Sequence, residues 1–260
     1  MLNFCSLYSG STGNSLFVES NTTKILIDAG VSAKKIQEAL LKINTNIEDL
    51  DAILITHEHV DHVRGIGVIS KKYNIPIYST LKTWSALDKY SENISVHNKK
   101  SFNIGEDFEI GNFKVSSFEI PHDAVDPCGF NVFCDGKKLS IATDVGHITA
   151  DILTNLKDSD FIMLEANHDP EILKCGNYPY ILKQRILGSH GHMSNSLAAE
   201  TICKLANNNL KNVMLGHLSK ENNFPELAYK TVEQELINNN LNINLNIASP
   251  IEPSPIINVS

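Results

Sequence analysis

Four short apolar runs in this chain end on a histidine or an aspartate, and that repetition limits the folds open to it. Asp51-Ala52-Ile53-Leu54-Ile55 opens directly into Thr56-His57-Glu58-His59-Val60-Asp61-His62. The alternating stretch Phe113–Glu119 precedes His122, Ile141-Ala142 precedes Asp144, and Val213-Met214-Leu215 precedes His217. Short apolar runs bounded by turn residues read as strands of a covered sheet. An α/β sheet commonly carries its functional groups at such strand ends. One histidine or aspartate there is most often a cap or a hydrogen-bonding residue. Four strand ends sending His and Asp groups to one edge are what a pair of cations requires, because imidazole nitrogens and carboxylates are ligands that Zn²⁺, Mn²⁺ and Fe²⁺ accept.

Elsewhere the periodicity alternates between strands and medium-length helices. Asn3–Tyr8, Leu16–Glu19 and Lys24–Asp28 read as strands, followed by a helix over Ser32–Ile43 capped by Ser32, with Ile36, Ala39, Leu40 and Ile43 on one face. The pattern then predicts a strand ending at Thr56, a helix from His62 to Tyr73, a strand Ile75–Tyr78 and a helix Thr80–Tyr90. Ser101 to Thr143 is hairpin-like, with turns at Ile104–Phe108 and Cys134–Lys137. Phe161–Leu164 and Asn212–Leu215 are further strands; Ser194–Ala206 and Pro225–Ile237 are helices. The runs Asn207–Asn209 and Asn238–Asn240 look like loop tips. No linker-like stretch divides the chain, so residues 1–260 are expected to form one domain, with 250–260 as a strand-like extension or partly disordered tail. Strands mixed with flanking helices predict an α/β fold of two packed mixed sheets with helices on the outer faces.

Composition narrows the setting. A net charge of −8 opposes long-range attraction to nucleic acid. It does not exclude a nuclease, since bound divalent cations reverse the field inside one cleft. No apolar run approaches the ~20 residues of a membrane span, and Met1–Ser6 does not resemble a secretory signal. Five cysteines, an odd number with no Cys-x-x-Cys spacing, fit buried thiols in a reducing cytoplasm.

Taken in order, His57-x-His59-x-Asp61-His62, His122, Asp144 and His217 resemble the five-motif signature of the metallo-β-lactamase superfamily across nearly the whole chain. The resemblance implies a four-layer αβ/βα sandwich with two divalent cations, Zn²⁺ or Mn²⁺ with Fe²⁺ as a further choice. His57, His59 and His122 would hold one ion, Asp61, His62 and His217 the other, and Asp144 would bridge them. A hydroxide between such cations forms near neutral pH. Asp61 would orient it and accept its proton.

Within that superfamily, the His122…Gly129-Phe130 pattern and His192-Met193-Ser194-Asn195 are similar to the phosphodiesterase branch that includes RNase Z. Together with Thr143–His147, Glu165–Asp169 and His217–Asn223 they resemble the stand-alone YycJ/WalJ/VicX-type subfamily. That likeness implies a metal-dependent 5′→3′ DNA exonuclease linked to DNA repair. His192 would donate a hydrogen bond or proton to the phosphate or leaving oxygen, with backbone N–H groups at the following helix start favouring the same anion. Glu165 and His168 would orient a ligand imidazole, with direct phosphate contact as the other role for His168. Lys183 and Arg185 are candidates for gripping the nucleic-acid backbone. Two other readings stay open: a lactonase, thioesterase or small-molecule phosphodiesterase using the same cations, and a non-catalytic DNA- or partner-binding module.

Overall fold

Alternation along the strands decides how this chain is layered. In the computed structural model, which describes residues 1–207 and 209–259, strand residues of opposite parity go to different cores. Asn208, inside the Asn207–Asn209 run, and Ser260, at the end of the expected tail, lie outside the described residues.

The first sheet contains β1 (Asn3–Tyr8), β2 (Ser15–Glu19), β3 (Lys24–Ile27), β4 (Ala52–Leu54), β5 (Ile77–Thr80) and β6 (Lys99–Phe102). The second contains β7 (Asp107–Ile110), β8 (Phe113–Glu119), β9 (Cys128–Cys134), β10 (Lys137–Ala142), β11 (Phe161–Glu165), β12 (Asn212–Gly216) and β13 (Asn244–Ile247). A last strand, β14 (Ile257–Asn258), returns to pair antiparallel with β1, so the first sheet runs β14-β1-β2-β3-β4-β5-β6 and the second β13-β12-β11-β10-β9-β8-β7. Each sheet is antiparallel on one side and parallel on the other: β3 to β6 run parallel, as do β10 to β13.

Helices cover both outer faces. On β3, Ile25 and Ile27 join the core between the sheets while Leu26 faces the outer helices α1 (Ala33–Lys42), α2 (Val60–Val63) and α3 (Ile66–Tyr73). On β11, Phe161 and Met163 point between the sheets. Ile162 and Leu164 instead join the residues of α6 (Ala150–Leu156), α9 (Asn195–Leu205) and α10 (Pro225–Asn238). Period-two alternation with both faces covered is what makes these strands near-continuous apolar runs. Phe4 of β1 meets Phe161 of β11 with ring centroids 4.6 Å apart, locking the sheets together. Truncating a buried phenylalanine in such a position to alanine costs about 3–5 kcal/mol. The fold is therefore the four-layer αβ/βα sandwich, and among the described residues no helix is long and apolar enough to cross a membrane.

Four local expectations differ. The helix expected from His62 to Tyr73 is two, α2 and α3, because the Gly65 amide bonds to the Ala29 carbonyl and a Cβ there would fall 2.6 Å from the Val31 carbonyl oxygen. Thr80–Tyr90 likewise divides into α4 (Leu81–Ala86) and α5 (Asp88–Ser91). The turn at Ile104–Phe108 is no hairpin. It carries the chain from β6 in one sheet to β7 in the other, so Phe102 and Phe108 stack at 5.1 Å across the inner core instead of pairing as neighbours. Finally, β4 stops at Leu54 instead of reaching Thr56.

Candidate metal centre

Every candidate ligand lies beyond one end of the packed sheets, after β4, β8, β10 or β12. Asp28 after β3, Asp144 after β10 and His217 after β12 take left-handed backbone, with φ of 64°, 59° and 55°. Non-glycine residues there cost of order 1–3 kcal/mol where the surroundings enforce them, and such positions cluster at functional sites. All three are buried here.

The structure brings the sequence-predicted residues into one cluster. Ligand atoms of His57, His59 and His122 lie within 4.8 Å of one another, as do those of Asp61, His62 and His217. Asp144 belongs with His57 and His62 on one side and with His217, Glu165 and His192 on the other. A common design holds the imidazoles. His57 Nδ1 is 3.0 Å from the Thr56 hydroxyl, His122 Nδ1 3.1 Å from the Gly191 carbonyl, His62 Nδ1 2.7 Å from Asp28 and His217 Nδ1 3.0 Å from Glu165. Each thereby leaves Nε2 for the centre: His62 Nε2 lies 3.4 Å and His217 Nε2 3.4 Å from Asp144. Fixing one ring nitrogen sets the tautomer and aims the other.

Donor chemistry and burial together test whether cations fit. His57 Nε2, His217 Nε2 and Asp144 Oδ2 are buried without a hydrogen-bond partner among the described residues. Buried polar atoms are normally satisfied, and these three belong to one cluster. The five histidines and one carboxylate of the two ligand triads, with the Asp144 carboxylate, thus fit a pair of divalent ions with nitrogen and oxygen ligands.

Electrostatics agree. Burial and the neighbouring imidazoles push His57 well below its ordinary value. Burial would also lower His62, but Asp28 and Asp144 overcome it and hold its pKa at about 9; His217 is raised in the same way by Asp144, Asp61 and Glu165. Burial favours the neutral form of Asp61, yet the facing imidazoles of His217 and His62 outweigh it and lower its pKa. Protons on His62 and His217 neutralise the carboxylates in the way that cations would, and cations binding there displace them.

Around the ligands stand groups that orient them. Asp28, which the sequence reading treats only as a strand end, accepts from the Thr56 amide (2.9 Å) and hydroxyl (2.8 Å) besides holding His62. The run Ile25-Leu26-Ile27-Asp28 repeats the apolar-run-then-aspartate pattern, and that signal was available. Asn14 donates its amide N–H to the Asp61 carbonyl (2.8 Å), and Gly30 in turn donates to the Asn14 carbonyl (2.7 Å). A Cβ on Gly30 would fall 1.6 Å from the Asp61 carbonyl oxygen, so only glycine lets that loop close.

Glu165 is fully buried at the end of β11. One oxygen meets His192 Nδ1 at 2.7 Å and His217 Nδ1 at 3.0 Å; the other accepts the amides of Val145 (2.6 Å) and Met193 (3.1 Å). With its acceptor sites filled in this way it orients two imidazoles. Burial opposes the proton on His192, but the Glu165 charge wins and raises its pKa. His168, by contrast, orients no ligand: it is buried, its Nδ1 has no partner among the described residues, and burial lowers its pKa to about 4. The amides of Asn195 and Leu197 at the start of α9 are already taken by the His168 carbonyl and the Ser194 hydroxyl. The expected anion site there loses those two donors.

Arg185 pairs through Nε with Asp123 and, with His192, lines a cleft of about 170 Å³. Lys183 donates to the Lys174 carbonyl at 2.7 Å and does not line that cleft.

Sequence and fold comparisons agree on the family and the fold. The family model for the beta-lactamase superfamily domain matches residues 23–217. The chain is 40% identical over 259 residues to exodeoxyribonuclease WalJ of Streptococcus pneumoniae, covering 97% of this chain and 96% of that protein. It is 38% identical over 235 residues to exodeoxyribonuclease YycJ of Bacillus anthracis, covering 90% and 89%. The fold is similar to that of YhfI, a metallo-beta-lactamase fold protein from Bacillus subtilis, with a TM-score of 0.72 at 16% identity over 98% of this chain and 99% of that one.

Proposed function

The chain belongs to the metallo-β-lactamase superfamily, and on that footing we propose that it is a phosphodiester hydrolase using two divalent cations, acting on DNA as a 5′→3′ exonuclease. The observation that carries the phosphodiester part is the His192–Glu165 pair. An imidazole whose pKa is raised by a buried carboxylate 2.7 Å away stands at the edge of the ligand cluster and lines the adjoining cleft. DNA as the substrate is supported by the names of the two relatives, both exodeoxyribonucleases, and by the extent of each match.

When bound, the cations supply Lewis acidity and a source of hydroxide at neutral pH. His57, His59 and His122 would hold one and Asp61, His62 and His217 the other, with Asp144, whose carboxylate neighbours ligand atoms of both groups, available to either. Asp61, kept ionised by His62 and His217, accepts a proton from the attacking water. His192 donates a proton from Nε2 to the leaving oxygen, which is the step that a raised pKa favours. Glu165 returns His192 to the same orientation each turnover. Arg185 contributes a planar fork of donors suited to a phosphate. Zn²⁺, Mn²⁺ and Fe²⁺ all suit the nitrogen- and oxygen-rich donor set. Residues 1–260 act as one domain in this reading, because a single inner core draws on both sheets. A role in DNA repair and a cytoplasmic location belong to the same proposal.

Digestion of 5′- and 3′-labelled single- and double-stranded DNA beside RNA, with Mn²⁺ or Zn²⁺, tests it. Asp61→Ala is expected to abolish release of nucleotides from the 5′ end. His192→Ala is expected to keep its metal content and slow turnover at least about tenfold. Turnover of thioesters or lactones but of no phosphodiester would move the enzyme to another reaction class.

A further inference from the structure

We propose that the segment leading into α8 is a stacking platform for the unpaired nucleotides of the strand being cut. The inference rests on the phosphodiesterase reading and deepens it. The helix α7 (Pro170–Cys175) is followed by Gly176-Asn177-Tyr178-Pro179 and then α8 (Tyr180–Leu187). Tyr178 is half-buried and lines the same small cleft as His192 and Arg185, so an aromatic ring borders the proposed reaction centre. Two residues on, Tyr180 is 74% and Ile181 83% exposed.

Nothing in the fold uses these rings. Neither Tyr178 nor Tyr180 takes part in an aromatic or cation–π contact or in a hydrogen bond among the described residues, and Ile186 is the one buried side chain of α8. Charge distinguishes the segment too. Across 170–187, Lys174, Lys183 and Arg185 outnumber the single carboxylate Glu171, in a chain whose net charge is −8. Arg185 Nε is held by Asp123, the residue next to the ligand His122. That ion pair ties α8 to the segment after His122, and both of its partners line the cleft.

Aromatic rings and a cation beside a phosphate-cutting site are the chemistry that recognises single-stranded nucleic acid: bases stack on rings regardless of sequence while the backbone is held by charge. A second copy of this chain or a protein partner would also cover exposed apolar side chains. The continuity of Tyr178 with the cleft of His192 favours a substrate strand.

The test is fluorescence anisotropy of 5′-labelled oligothymidylate with uncleavable phosphorothioate linkages, titrated with the metal-loaded protein. Tyr180→Ala is expected to bind about five- to a hundredfold more weakly, and Tyr180→Phe within about twofold of the unaltered chain, because stacking needs the ring and not the hydroxyl. The 74% exposure of Tyr180 means that its removal leaves the melting temperature unchanged, so a loss of binding is not a loss of fold. Binding by Tyr180→Ala within about twofold of the unaltered chain overturns the proposal. So does an unaltered chain that fails to bind the oligonucleotide, or self-association that Tyr180→Ala abolishes, which would give the face to a second copy. Turnover of bis(p-nitrophenyl) phosphate by the unaltered protein, measured alongside, separates the two readings. Its absence sinks the phosphodiesterase, whereas unchanged oligonucleotide binding sinks the platform.

Discussion

The two halves of the metal centre are built in opposite ways. The first sheet delivers His57, His59, Asp61 and His62 on one continuous segment that runs from the loop after β4 into α2, steadied by Asp28, whose contacts are one imidazole and one threonine. From the second sheet come His122, Asp144, His192 and His217, each on a separate segment. What draws these together is Glu165, which bonds two imidazoles and two backbone amides from different loops. Both orienting carboxylates are buried, 2% exposed for Asp28 and 0% for Glu165. A contiguous loop needs its carboxylate only to aim a ring, whereas a dispersed set needs one to define where the rings stand relative to each other.

Breaking the dispersed half should therefore do more damage. Glu165→Gln places an amide where four donors converge, and it is expected to lower metal affinity and turnover by about 100-fold or more, at the upper end for groups behind a metal ligand. Saturating metal should not restore turnover, since His192 has lost its carboxylate. Metal content together with turnover both close to those of the unaltered chain would show that Glu165 is dispensable. Asp28→Asn is expected to cost about tenfold in metal affinity, with turnover recovering at saturating metal because His192 is untouched. A turnover loss that added metal cannot repair would erase the contrast.

The smallest effect is a pH dependence of the metal-free protein. His62 is raised from 6.5 to about 9. Its protonation therefore stabilises the metal-free fold fully below pH 6.5, and that contribution disappears as pH rises through 9. The melting temperature of metal-stripped protein should fall across this window by several degrees, at about 2–4 °C for each kcal/mol. In Asp28→Asn the slope should flatten. Metal-loaded protein should show the opposite trend at the acid side, where protons compete for the imidazoles. Calorimetry that finds no slope between pH 6.5 and 9 would remove His62 from this account.

Local pattern made one half of the centre readable and pairwise geometry hid part of the other. His57, His59, Asp61 and His62 announce themselves because four ligand types follow one apolar run, and His122, Asp144 and His217 because each follows another. Ser32, Pro225 and the Asp135-Gly136 turn marked element boundaries for reasons of capping and backbone alone, and the structure places α1, α10 and the β9–β10 hairpin there. Asp28 does not stand out in the sequence, since a single aspartate after a strand looks like any other until His62 is seen 2.7 Å away. The break at Gly65 depends on a carbonyl from Val31, and the crossover at Gly105 on which sheet each strand joins. Neither is a property of its own neighbours in sequence.

The left-handed backbone at Asp28, Asp144 and His217 restricts how these positions can drift over evolutionary time. Side-chain chemistry excludes most residues, and the φ values of 64°, 59° and 55° separately exclude β-branched and bulky ones. Asparagine and glycine are the replacements the backbone accepts readily. Drift at these sites is therefore channelled toward Asn and Gly, and a descendant that has lost the reaction is expected to carry those two residues there more often than any other.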